Sequence, residues 1–168
     1  QHDNSKEHTF RWSDDPRRYR NSCGWGFKPP KWSAWFFIQE VKLMITEQEA
    51  LALIRQVLSK TLWSKSAETL VFCTGLKESG YRTDRQIGGG PALGYWQMEP
   101  ATHDDIWKNY LAYRPALAAI VRHYGNTPDD LVKNPAYALL MCRIKYLRDN
   151  QALPAPFDAA GMAQTWKR

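Results

Sequence analysis

The chain has 168 residues, 43% hydrophobic and 24% charged, an ordinary globular balance with enough length to bury a core. No stretch nears the roughly 20 apolar residues of a membrane-spanning helix, and positions 1–13 are too polar for a secretory signal. A net charge of +6 favours anionic partners (nucleic acid, a membrane surface or a wall polyanion) without choosing among them.

Residues 1–43 read as an extended aromatic and basic arm. They hold four of the eight tryptophans, Trp12, Trp25, Trp32 and Trp35, among charge clusters such as Asp14-Asp15-Pro16-Arg17-Arg18. The run from Cys23 to Trp32 has too many helix breakers, and its aromatics follow no period. Disordered segments are usually poor in aromatics, so the arm is expected to order by docking, either on another surface or on the chain's own domain. Cys23, Cys73 and Cys142 are an odd number without Cys-x-x-Cys spacing, which argues against a disulfide framework and against a zinc site. Cys73 and Cys142 fall in apolar helical patterns and are expected as free, buried thiols.

From Met44 the pattern becomes that of a mainly α domain, residues 44–168. Thr46-Glu47-Gln48-Glu49 is a capping box ahead of Ala50, Leu51, Leu53, Ile54, Val57 and Leu58 at helical spacing. Ser66 is expected to open a second helix running through Val71 and Phe72 towards Leu76. Arg82 to Pro100, with Gly88-Gly89-Gly90-Pro91, reads as a glycine-rich loop or a small β-hairpin. Pro100, Pro115, Pro128 and Pro135 are placed as first-turn prolines, with Thr127 and Asn134 as caps and Gly125 closing a helix. Residues 134–147 carry Tyr137, Leu140, Met141, Ile144 and Leu147 along one face, and Asp158 caps a last helix bearing Met162 and Trp166.

Function tends to sit on loops held by a rigid scaffold, and residues 75–100 are the obvious such place. Glu78-Ser79-Gly80-Tyr81 stands at the end of an apolar helix, where the helix dipole and apolar neighbours both favour the neutral acid. That is the form a general acid needs to protonate a glycosidic oxygen. Gly94-Tyr95-Trp96-Gln97-Met98-Glu99-Pro100 begins sixteen residues further on.

Glu-Ser-Gly-Tyr, a short loop and then Gly-Tyr-Trp-Gln-Met resembles two motifs of soluble lytic transglycosylases and goose-type lysozymes. The wording looks most like lysozyme-like proteins of tailed bacteriophages, and the resemblance covers residues 66–168. It implies a lysozyme-like fold and cleavage of the glycan strands of peptidoglycan, with Glu78 as catalytic acid and base. Ser79, Gly94, Tyr95, Trp96 and Gln97 take the places of the motif residues that line the sugar cleft, with Tyr81 beside them; no cofactor or metal is implied. Pro100-Ala101-Thr102 matches the proline and threonine that open the next helix, and Lys145-Tyr146-Leu147 resembles the end of a further one. Tyr95-Trp96 stands where the family has Leu-Met, which would suit stacking on sugar rings. The family's third motif, an aromatic followed by Asn, is not found; the chain stops at Trp166-Lys167-Arg168, so a C-terminal truncation is expected.

Glu99 is the candidate second acid. Two carboxyl groups roughly 6.5–9.5 Å apart can hold a water for inverting hydrolysis, whereas a carboxylate just before Pro100 also suits a helix start. On that ground transglycosylase precedes hydrolase. His103 and His123 read as surface or capping residues, Asp104-Asp105 as first-turn acids, and Arg143, Lys145 and Arg148 as a basic rim. Two functions remain open. One is a peptidoglycan-cleaving enzyme carried in a phage virion and acting on the host wall. The other is a structural virion or tail protein on the same scaffold with an inactive site, attached to its partners through residues 1–43. A nucleic-acid role rests on charge alone and is not expected.

Overall fold

The computed structural model describes residues 45–58 and 62–168; the arm expected over 1–43 lies outside them. Among the described residues seven α-helices follow one another: α1 Glu47–Val57, α2 Lys65–Glu78, α3 Pro100–Asn109, α4 Pro115–Arg122, α5 Asp130–Lys133, α6 Pro135–Leu147 and α7 Ala159–Lys167, with a 3₁₀ turn at Leu111–Tyr113. The described residues contain no strand, and none of their helices is long and apolar enough to cross a membrane.

Local chemistry sets most of the helix ends. The Thr46 hydroxyl accepts from the Glu49 amide at 3.1 Å while the Glu49 carboxylate accepts from the Thr46 amide at 2.7 Å, the reciprocal box expected at α1. Ser64, not Ser66, caps α2, accepting from Ala67 N at 3.0 Å. Pro100, Pro115 and Pro135 do begin helices, where a missing N–H costs nothing. Pro128 does not, because α5 starts two residues later and its turn is organised by Asp130 instead of Thr127. The Asp130 carboxylate accepts from Asn126 N, Thr127 N and the Thr127 hydroxyl at 2.8–3.0 Å. Asp104 and Asp105 fall in the second turn of α3, beyond the first-turn amides.

The core centres on α6, which packs against α1, α2, α3, α4 and α5. Its one-faced pattern is a poor guide to its surroundings, since Tyr137, Ala138, Leu139, Leu140, Met141, Cys142, Arg143, Ile144 and Tyr146 are all buried. A helix apolar around its circumference belongs in the middle of a bundle. Arg143, expected on a basic rim, is therefore inside, where its Nε donates to the Leu62 carbonyl at 3.0 Å. His103, expected at the surface, is also buried. Its ring bonds Asp104 at 2.8 Å and the Tyr137 hydroxyl at 2.7 Å, and Trp107 Nε1 donates to that hydroxyl at 2.8 Å, tying α3 to α6. Glu68 is buried but paired, with Lys65 at 2.7 Å, Trp63 Nε1 at 3.0 Å and Arg55 at 3.3 Å. Cys73 is disulfide-bonded, against the expectation of a free thiol. Cys142 is free, and burial pushes its thiol up to about 12.

Candidate functional site

α2 ends where the chain turns left-handed. Gly80 and Tyr81 both have φ +58°, and the Gly80 amide reaches back to the Gly75 and Leu76 carbonyls at 3.1 Å. This fold-back drives the Tyr81 ring against the helix it has just left. A Cβ at Gly75 would lie 2.5 Å from that ring, so the close approach requires glycine there. Tyr81 is wholly buried, and its hydroxyl donates to the Phe72 carbonyl at 2.9 Å. It has no surface to offer a substrate, contrary to expectation. Burial raises its phenol well above the ordinary range.

The second motif closes on the first. Leu93 and Met98 exchange amide bonds at 2.9 and 3.0 Å around a Gly94–Gln97 turn. That bridge and one between Arg85 and Leu93 are all that forms of the expected hairpin, whose glycines and Pro91 leave too few ladder positions. Gly94 has φ +70° and sits against the Leu131 carbonyl, where a Cβ would clash. The Ser79 hydroxyl donates to the Tyr95 carbonyl at 2.7 Å and accepts from Tyr81 N at 3.0 Å, joining the two segments. Trp96 Nε1 donates to the Val71 carbonyl at 2.8 Å. The Tyr81 ring packs edge-on to Tyr95 at 6.3 Å and Trp96 at 5.9 Å between centroids. Tyr95 and Trp96, expected to stack on sugars, instead form with Tyr81 a buried aromatic knot; only an edge of Trp96 reaches the cleft.

What faces outward lies along a groove. A cleft of about 280 Å³ is lined by Thr74, Glu78, Gln97, Glu99, Lys145 and Tyr146, among others. On one side it continues past Ser79 into a hollow of about 340 Å³ that shares Glu78, Gln97 and Glu99 and reaches Thr83, Gln86, Ile87 and Ala92. On the other it continues through Thr102, Lys145 and Tyr146 into a hollow of about 390 Å³ reaching Thr165 and Arg168. Glu78 thus stands along the middle stretch of an elongated, hydroxyl-rich depression. Its carboxylate is exposed, not set among apolar groups as expected, and Trp166 Nε1 donates to its Oε1 at 2.8 Å. The Lys77 ammonium lies 6.0 Å from the centre of the Trp166 ring, and α7 packs on α2.

Gln97 has φ +48°, unusual for a residue with a side chain and of a kind that gathers at functional sites. Its Nε2 donates to the Gly94 carbonyl at 2.8 Å, while its Oε1 has no partner among the described residues. Glu99 occupies the N-cap position of α3, yet its side chain makes no capping bond. It is exposed and borders the same two hollows as Glu78, which separates it from the purely structural role its position suggests. Tyr146 presents its hydroxyl to Thr74 at 2.8 Å on the opposite wall, and burial raises its phenol far above the ordinary range.

Of the residues expected in the site, Glu78, Ser79, Trp96, Gln97 and Glu99 meet at the groove, whereas Tyr81, Gly94 and Tyr95 build the loop behind it. Trp166 was legible only as the apolar face of a capped last helix, and nothing local tells that it reaches Glu78. Among the described residues no group of three His, Cys, Asp or Glu side chains is placed to hold a metal. No protein-family model, no curated protein and no solved structure matches the chain.

Proposed function

We propose that this chain is a peptidoglycan-cleaving lytic transglycosylase, with Glu78 as the acid that protonates the glycosidic oxygen and then acts as base. The observation that carries the reading is the groove: three adjoining hollows that share lining residues, carry hydroxyl and amide groups, and have in their middle stretch an exposed carboxylate held by an indole N–H. Gln97, whose amide oxygen has no partner among the described residues, would orient the sugar's acetamido group or the acid. The reaction proposed breaks the β-1,4 bond on the reducing side of N-acetylmuramic acid. The sugar's own C6 hydroxyl closes onto C1 as Glu78 takes back a proton, leaving an anhydro end. A phage particle acting on the host wall is the setting that the sequence resemblance favours.

A second reading has its own support in Glu99, which borders the same hollows as Glu78 and is not used as a cap. There it would hold a water, and the products would carry reducing ends. Digestion of purified peptidoglycan, with product ends identified by mass, separates the two. Anhydro ends that disappear in Glu78→Gln support transglycosylation; reducing ends that disappear in both Glu78→Gln and Glu99→Gln move the assignment to hydrolysis. Undiminished cleavage by Glu78→Gln removes Glu78 from the chemistry, and no cleavage at all leaves a scaffold protein.

A further inference from the structure

The groove is not electrically symmetric about Glu78. Past Ser79 its lining of Thr83, Gln86, Ile87 and Ala92 carries no cation. The opposite end carries Lys145, Arg148 and Arg168, with Asp149 in its lining and Asp105 beside Arg148. Arg148 pairs with Asp105 at 2.6 Å and Arg168 with Asp149 at 2.8 Å, so both guanidinium charges already face a carboxylate. Lys145 is different. It is exposed, has no carboxylate partner among the described residues, and borders both the central cleft and the basic hollow. Its ammonium stands 5.7 Å from the centre of the Tyr146 ring. Hydroxyl and acetamido groups of a sugar need no such cations. Positive charge gathered at one end of a long groove selects a ligand that carries negative charge on that side.

Resting on the peptidoglycan reading, we propose that the end of the groove between α6 and α7 is a carboxylate subsite, centred on Lys145, for the acidic peptide borne by the glycan's muramic residues. Lys145 supplies the uncompensated charge, and Arg148, paired with Asp105 through one nitrogen, supplies further N–H donors beside it. A strand then binds in one direction, with a peptide-bearing sugar on the α6–α7 side of Glu78. Peptide-substituted strands are preferred over bare ones.

Binding to the Glu78→Gln protein tests this without turnover, using glycan strands with their peptides intact and the same strands stripped by an amidase. The peptide-bearing strands should bind about tenfold tighter, the worth of a charge-assisted hydrogen bond, and the preference should shrink as salt is raised. Adding Lys145→Glu should bring the ratio of affinities to one or below, and Lys145→Gln, with circular dichroism as a check on folding, should bring it towards one. Equal affinity for the two strands, or a Lys145→Glu effect of the same factor on both, overturns the subsite. Wild-type digestion is run in parallel. Peptide-dependent binding without any cleavage removes the enzyme reading and keeps the subsite, whereas cleavage with equal affinities removes the subsite alone.

Discussion

The two walls of the groove are made in different ways. One is a loop wall, residues 78–99, in which most of the distinctive residues point away from the groove. Tyr81, Tyr95 and Trp96 knot together inside, Gly94 fits against Leu131, and the Ser79 hydroxyl joins the two segments. Glu78, Gln97 and Glu99 are the residues of this wall that border both the central cleft and the hollow beyond Ser79. The other is a helical wall, α6 and α7, which contributes two pairs of neighbouring residues, Lys145–Tyr146 and Thr165–Trp166, and needs no special turn. A motif rich in unusual residues is thus mostly a device for holding one carboxylate at a helix end. The residue that contacts that carboxylate comes from 88 positions further on.

The contrast breaks most sharply at the carboxylate. Glu78→Gln should lower the rate of glycan cleavage by roughly 10²–10⁴-fold, the typical worth of positioned acid–base catalysis. Its thermal midpoint should barely move, because the side chain is exposed. Trp96→Ala should do the reverse. Emptying a nearly buried indole site and losing its bond to the Val71 carbonyl should cost about 3–5 kcal/mol, read as a lower urea midpoint. Activity per folded molecule should then change far less than stability. If Trp96→Ala proves stable but inactive, the knot is part of the sugar site and the division between inward and outward residues is wrong.

The helical wall offers a finer test. Trp166→Phe keeps an aromatic ring at this position and removes the N–H that donates to Glu78. A hydrogen bond of this kind is worth roughly 0.5–1.5 kcal/mol, and with Glu78 exposed the lower end applies. Steady-state kinetics on soluble glycan should show kcat reduced about threefold with KM nearly unchanged. An unaltered kcat would mean that the helical wall takes no part in holding the acid.

These tests mark how far the sequence could be read. Capping boxes, first-turn prolines and Asp158 located the helices because those signals act over three or four residues. Glu78, Gln97 and Glu99, singled out through the motif resemblance and the helix start at Pro100, come to border one groove because two short segments close in sequence are brought together by local turns. Local signals failed wherever a residue's surroundings come from distant parts of the chain. Tyr81 and Tyr95 look like cleft aromatics until the fold-back at Gly80 turns them inward. Arg143 looks like a rim charge until Leu62 is seen to cover it. Trp166 is an ordinary apolar position until α7 packs on α2. The one-faced pattern of α6 misled for the same reason, since five other helices surround it.

The smallest expected effect lies behind the loop wall, in the turn that backs Gly94. Leu131, whose carbonyl Gly94 abuts, follows Asp130, and the Asp130 carboxylate holds that turn closed. The Asn126 amide, then Thr127, lowers its pKa below the ordinary 3.8. A carboxyl with a depressed folded pKa contributes stability that is complete above the unfolded value and disappears as pH falls through the folded one. Asp130→Ala should therefore cost about 1 kcal/mol or less at neutral pH, similar to the loss of a helix cap. Measured as urea midpoints across a pH series, the gap between variant and wild type should hold steady down to about 3.8 and close only below it. Activity should follow stability, since Gly94 is displaced only when the turn opens. A gap that is constant through the acid range would mean that the carboxylate's charge has no role in the turn. An Asp130→Ala protein of normal stability but low activity would place this turn in the site itself, moving the boundary between the part of the loop that holds and the part that acts.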